Sequence, residues 1–272
     1  MTRRTVFAVV TGLAAMTVSS AQAAPPPANL SLSAGYEGSL LIKLVDLRLR
    51  TRAAAGRYST DVHVESSGAV SFIRRFDINA ASVGAFDHGR ANPAAYVQHS
   101  LEGKKRSSRT QVFRGPIGAV DPLTQGLRLT STPMASAPCP GVTPTFDGKQ
   151  RYDLILNYVG RGALAPGQQG FGLSQPVQCR LDFRPISGFK TNSQQGLRKF
   201  VQGDIRATFA KAAGAGVWVP TEIAASTMVG ALRLELTSFS VQGTRAAFEP
   251  PAPASQPQAP PRKARSRGQR PR

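Results

Sequence analysis

The chain has 272 residues, with 34 Lys and Arg against 15 Asp and Glu, and its net charge is +19. This length is compatible with one folded domain. The sequence contains two cysteines without a Cys-x-x-Cys motif, and His63, His88 and His99 lie in separate segments. These features give little support for a metal site, and neither a metal nor a cofactor is expected.

The first 23 residues are predicted to be a cleavable signal peptide. Arg3 and Arg4 precede an uncharged apolar run over residues 6–18, which is too short to span a bilayer. Ala21 and Ala23 then supply the small-x-small pattern that precedes cleavage. We expect a periplasmic or secreted protein without a transmembrane span in its mature part. The general secretory and twin-arginine routes both stay open, because adjacent arginines occur in both kinds of signal.

Two further segments differ from the rest of the chain in composition. Residues 24–29 form a short Pro-rich piece, predicted to be loose. Residues 249–272 combine prolines with six basic side chains and few apolar ones, so they are predicted to be a disordered basic tail. The folded body is therefore expected over residues 30–248.

Apolar residues in the body mostly recur with period two, the pattern of half-buried antiparallel strands. Clear cases lie at residues 58–64, 151–158, 179–183 and 232–236. The phase of the pattern changes within residues 40–49 and again within 232–241, and we interpret both changes as bulges that curve the sheet. Residues 77–86 fit a loop or a helix. Together the patterns predict a mainly β domain with a strongly curved antiparallel sheet.

A short helix and a disulfide are the other local predictions. Asp121 can cap a helix whose first residue is Pro122, extending toward Leu127 or Leu129. Cys139 and Cys179 form an even pair in a chain predicted to be exported, so we expect them to be bonded to each other.

One combination of motifs suggests a family. In chain order it consists of Asp121-Pro122-Leu123-Thr124, Cys139, the Phe-Asp-Gly-Lys-Gln-Arg-Tyr-Asp segment at 146–153, Cys179 and the Pro-Ile-Ser-Gly-Phe segment at 185–189. This block resembles the exported bacterial domain-of-unknown-function family 3108, over about residues 36–236. The resemblance implies an open, curved antiparallel half-barrel similar to that of lipoprotein carriers, with one or two short helices against its concave side. It implies no catalytic residues.

Three functions stay open. The first is a carrier of an amphipathic or lipid-like ligand in the curved sheet, with a cavity predicted to be lined by Leu154, Leu156, Leu181, Phe183, Leu232 and Leu234. The second is an envelope interaction protein that contacts anionic polymers, or a membrane peripherally, through the basic tail and Lys104, Lys105, Arg106, Arg109 and Arg114. The third is a hydrolase of unrecognised type, although common catalytic motifs are absent from the sequence. Export makes nucleic acid an unexpected partner.

Overall fold

The structure is a computed structural model. It describes residues 29–68, 71, 75–114, 118–133, 136–189, 201–228 and 230–248. The predicted signal peptide and basic tail lie outside the described residues, as does all but the last residue of the Pro-rich piece at 24–29.

The described residues form twelve antiparallel strands in one sheet. The strands are β1 (Asn29–Ser39), β2 (Lys43–Ala54), β3 (Arg57–Ser66), β4 (Phe76–Asp87), β5 (Arg90–Glu102), β6 (Lys105–Val112), β7 (Gly141–Phe146), β8 (Arg151–Arg161), β9 (Leu173–Ser187), β10 (Val201–Ala212), β11 (Val217–Thr227) and β12 (Gly230–Gly243). Their order in the sheet is β6-β5-β4-β3-β2-β1-β12-β11-β10-β9-β8-β7. The two edges are thus β6 and β7, which are consecutive in the chain.

Between the two edge strands, the described residues form one α-helix. Helix α1 (Pro122–Thr130) begins as the sequence predicts, because the Asp121 carboxylate accepts hydrogen bonds from the backbone N–H groups of Leu123 (3.0 Å) and Thr124 (2.9 Å). The helix contacts β3, β4 and β5 on one side of the sheet order and β7 and β11 on the other. The sheet therefore curves around α1. The predicted mainly β fold with a curved open sheet and few helices is confirmed.

Two 3-10 helices complete the described elements, at Pro166–Phe171 and Arg245–Phe248. Phe248 of the second one stacks on Phe86 of β4, with ring centroids 4.6 Å apart. Leu127 of α1 belongs to the same buried cluster, together with Leu30 and Leu32 of β1. We call the end of the sheet at which β1 begins and β12 ends the plugged end, because α1 and this 3-10 helix fill its concave side.

Both phase changes of the sequence coincide with a bulge, and the first also contains a turn. In β12 the register skips Thr237 opposite β1, so the even-numbered leucines give way to Phe239 and Val241 through a bulge, as predicted. The bulge predicted within residues 40–49 is also present, because the register of β2 against β1 skips Leu44, although this segment is not one continuous strand. β1 ends at Ser39, a turn occupies residues 40–42, and β2 begins at Lys43.

Residues 77–86 belong to β4 and are neither loop nor helix. Ala80, Ser82 and Gly84 face the concave side, so the strand has only small inward residues between Ile78 and Phe86. Gly84 needs to be small, since a Cβ there would stand 2.7 Å from the Tyr58 hydroxyl oxygen. The small inward residues removed the apolar alternation by which the other strands were recognised.

The predicted disulfide is present. Cys139 and Cys179 are bonded, with their Cα atoms 5.9 Å apart. Cys179 is fully buried in a second apolar cluster that also contains Leu156, Phe209 and Trp218. The bond thus ties the segment that follows α1 to the concave side of β9.

Candidate functional site

The concave face of the sheet changes in burial from one end to the other. The register places Leu49, Leu47 and Val45 of β2 on the same face as Leu32 of β1, opposite Ala34, Tyr36 and Gly38. The β1 side chains Leu30 and Leu32 are buried, whereas the three β2 side chains are only half-buried. We call the end at which β1 ends and β2 begins the open end. There the inward aliphatic side chains keep part of their surface exposed.

Most of the residues predicted from the sequence to line a cavity lie on this half-buried part of the face. Cross-strand partners connect them across β8 to β12 in the pairs Leu154 with Phe183, Leu156 with Leu181, Leu181 with Ile205, Ala225 with Leu232, and Ile223 with Leu234. Five of the six predicted residues are half-buried. Leu156 is different, because it is 1% exposed and belongs to the second core cluster.

Aromatic rings extend the apolar face toward the open end. The ring centroids of Tyr152 and Phe183 are 4.9 Å apart, and Phe189 meets Phe183 edge-on at 5.6 Å. Burial is the main reason why the pKa of Tyr152 lies above its usual value. This phenol therefore stays neutral in ordinary buffers and adds to the apolar lining.

A polar stripe interrupts the apolar lining on β5 and β6. Gln98 pairs with Arg109, and Ser100 pairs with Ser107, on the face that carries Ala80 in β4. The hydroxyl oxygens of Ser100 and Ser107 are 2.7 Å apart. Arg109 donates to Asp147 at 2.6 Å, so this ion pair connects edge strand β6 to the turn after β7. The open end thus has an apolar lining on most strands and a polar lining on edge strand β6 and its neighbour β5.

The five basic residues singled out from the sequence do not form one surface. Lys104, Lys105 and Arg106 are exposed at the β5–β6 turn, but the register puts Lys105 on the concave face and Arg106 on the other face. Arg109 is half-buried in its ion pair, and Arg114 is exposed beyond the end of β6. Of these five residues, only the three at the turn therefore lie together.

A buried polar cluster under α1 was not predicted as a site, and its geometry explains it as a cap. Asp121 is 0% exposed, and its carboxylate also accepts from the hydroxyls of Ser82 (3.0 Å) and Thr124 (2.6 Å). The Tyr58 hydroxyl lies 2.7 Å from that of Thr124, and burial raises the pKa of Tyr58 to about 12. All these groups are hydrogen-bonded among themselves, so the cluster holds the helix in place.

Neither a metal site nor a membrane-spanning helix is found among the described residues. Among the described residues, no three His, Cys, Asp or Glu side chains come together in a way that could hold a metal ion. In the same part of the chain, no helix has the length and apolar character needed to cross a membrane.

Several residues of the open face were missed in the sequence. Leu47, Val64, Ile78 and Ile205 share the face with the predicted lining and are half-buried. The period-two pattern in β2 and β3 contains the signal for the first two. Ile78 lies at the start of residues 77–86, for which a loop or a helix was predicted, and Ile205 lies in a strand without a clear alternation.

No family model matches the chain, and no curated protein matches it. Among solved structures, the chain is similar to the crystal structure of a beta-barrel-like protein of domain of unknown function DUF1849 from Brucella abortus. The two share 9% sequence identity with a TM-score of 0.44, and the match covers 80% of this chain and 98% of that one. The resemblance to domain-of-unknown-function family 3108 stays a prediction.

Proposed function

We propose that the protein, after export, holds an amphipathic, lipid-like molecule against the concave face at its open end. The observation that carries this proposal is the contrast in burial along one face. Leu154, Leu181, Phe183, Leu232 and Leu234 face the same side as the buried core but remain half-buried. α1 and the second 3-10 helix cover the plugged end, and the first 3-10 helix reaches β12 through Gln168, which donates to the Leu236 carbonyl. Half-buried aliphatic surface inside a curved sheet is the lining that an acyl chain needs.

The polar stripe favours an amphipathic ligand over a purely apolar one. Ser100, Ser107 and the Arg109–Asp147 ion pair lie on the same concave side, beside the seam between the edge strands. A hydrocarbon chain would lie on the aliphatic strands, while its polar group would meet hydroxyls and a guanidinium. The separation of the two linings predicts one orientation of the ligand.

The test is a titration of the mature protein with an environment-sensitive fluorescent fatty acid, followed by displacement with an unlabelled fatty acid. We expect saturable enhancement. Leu232→Gln should weaken binding about tenfold, because it places an amide in the apolar lining. Arg233→Gln is the matched control, since Arg233 is the next residue of β12 and lies on the opposite face. Absence of saturable binding, or equal loss in both variants, would contradict the proposal.

A second candidate, contact with anionic envelope polymers, is favoured by the exposed Lys104, Lys105 and Arg106 at the β5–β6 turn. Native mass spectrometry of the purified mature protein separates the two functions. A retained lipid-like mass supports the carrier, whereas salt-sensitive binding of an anionic polymer without a retained ligand supports the second function.

A further inference from the structure

Two neighbouring turns at the open end expose large apolar side chains. Leu41 and Ile42 in the β1–β2 turn are 88% and 52% exposed, and Met228 in the β11–β12 turn is 66% exposed. β1 pairs with β12, so the two turns are adjacent, and a Cβ on Gly230 would stand 3.6 Å from the Leu41 Cδ2 atom. We call Leu41, Ile42 and Met228 the tip patch.

The conformation of the β1–β2 turn makes its leucine unusual. Leu41 has φ +71°, in the left-handed region that Gly and Asn adopt at lower cost. The backbone N–H of Leu40 donates to the carbonyl oxygen of Ile42 at 3.0 Å, which keeps the turn tight. This backbone conformation is unfavourable for leucine, and a side chain that is exposed to water adds little to the stability of the fold. Its apolar side chain needs another explanation.

The charged residues at the open end indicate which kind of surface the tip patch contacts. Lys43 follows the patch directly, but its ammonium donates hydrogen bonds to the carboxylates of Asp46 (2.8 Å) and Glu37 (2.9 Å), which raise its pKa and balance its charge. At the same end of the sheet, Lys104 and Lys105 are exposed in the β5–β6 turn and Lys149 is exposed in the β7–β8 turn. Exposed lysines at the same end of the sheet as protruding apolar side chains complement the surface of an anionic bilayer.

We propose that the tip patch inserts into the interfacial layer of an anionic phospholipid bilayer, with the basic turns against the headgroups. A water-soluble anionic polymer would bind to the lysines, but the exposed leucine, isoleucine and methionine would not contribute to its binding. Insertion would direct the open end toward the membrane. The inference goes beyond the proposed function, because it concerns the outer tips and requires no ligand on the concave face.

The experiment is cosedimentation of the mature protein with vesicles of equal parts phosphatidylcholine and phosphatidylglycerol, and with vesicles of phosphatidylcholine alone. The test variant combines Leu41→Asn with Met228→Gln, since Asn suits the left-handed turn and should preserve the fold. Removal of the two apolar side chains should weaken binding to the mixed vesicles by about tenfold or more. The control Val142→Thr removes an exposed apolar residue of β7 near the plugged end and should bind like wild type.

The outcomes separate this inference from the carrier function. Unchanged binding of the double variant, with an unchanged thermal midpoint, would overturn the insertion of the tip patch, and so would absence of binding by the wild type. The fatty-acid titration repeated on the double variant is expected to match wild type. If the titration fails in wild type while the vesicle result holds, only the carrier function is lost.

Discussion

The plugged end and the open end are built from the same strands and the same inward face, yet only one of them is covered. At the plugged end Leu127 and Phe248 arrive from outside the sheet and complete the core around Leu30 and Leu32. At the open end Leu47 and Leu234 have the same orientation but remain half-buried. Alternation along a strand determines the side on which a residue lies. A segment from elsewhere in the chain determines whether that side is covered.

We call α1 and the second 3-10 helix together the plug. One hydrogen bond to a backbone carbonyl fixes the plug to the sheet, and another joins its two helices. Arg128 of α1 donates from Nε to the Ala91 carbonyl at 2.8 Å, and Arg245 donates from Nε to the Ser131 carbonyl at 3.0 Å. Burial lowers the pKa of Arg128 to about 10, which leaves its guanidinium charged in neutral solution. These contacts make α1 and the second 3-10 helix part of the core. We expect the plugged end to carry most of the stability and the open end to carry the function.

The largest effect is expected from the disulfide, which ties the segment after the plug to β9. Its two cysteines are separated by 40 residues in the chain. Replacing both by Ser should lower the free energy of unfolding by about 4 kcal/mol, because the open loop gives the unfolded chain more conformational entropy. Chemical denaturation with urea measures this loss.

Wild type denatured in the presence of a reductant serves as the control for the cysteine variant. It should lose nearly the same free energy, since the effect acts through the unfolded chain. A reduced wild type as stable as the oxidised one would show that the plug does not depend on this tether.

A smaller loss is expected from Asp121→Ala, which removes the cap of α1. The substitution leaves the backbone N–H groups of Leu123 and Thr124, and the hydroxyl of Ser82, without their buried acceptor. We expect a loss of about 3 kcal/mol in the free energy of unfolding. Asp121→Asn keeps one acceptor oxygen for the cap and should lose clearly less. Equal losses in both variants would mean that the carboxylate charge, and not the cap, holds the helix.

The features of the two ends that were predicted from the sequence depend on local signals. The cap at Asp121 needs only a residue type next to Pro122, and the inward position of Cys179 needs only the alternation with Leu181. The bulge at Thr237 left a visible phase change. Each of these signals lies within a few residues, so no knowledge of distant contacts was necessary.

The parts that were missed depend on distant contacts or on small residues. Leu156 was grouped with Leu154 as cavity lining, because both have the same place in the alternation. Leu156 lies next to the disulfide cluster, where Cys139 and Trp218 approach from other parts of the chain, and is buried there. The turn at residues 40–42 was missed for a different reason. Apolar residues occupy it in place of Gly, Asn or Pro, so the usual turn signal is absent.

Leu156 and Leu154 also provide the sharpest test of the difference between covered and uncovered parts of one face, since both are inward residues of β8. Leu156→Ala should cost about 3 kcal/mol in the free energy of unfolding, because it leaves a cavity in a closed cluster. Leu154→Ala should cost about 1 kcal/mol, since water already reaches this side chain and can occupy the space. Urea denaturation of both variants gives the difference.

In the fatty-acid titration the order should reverse, with Leu154→Ala binding more weakly than Leu156→Ala, because only the half-buried residue is available to a ligand. Similar losses of stability would mean that the open end is packed as tightly as the plugged end. The concave face would then have no room for the proposed ligand.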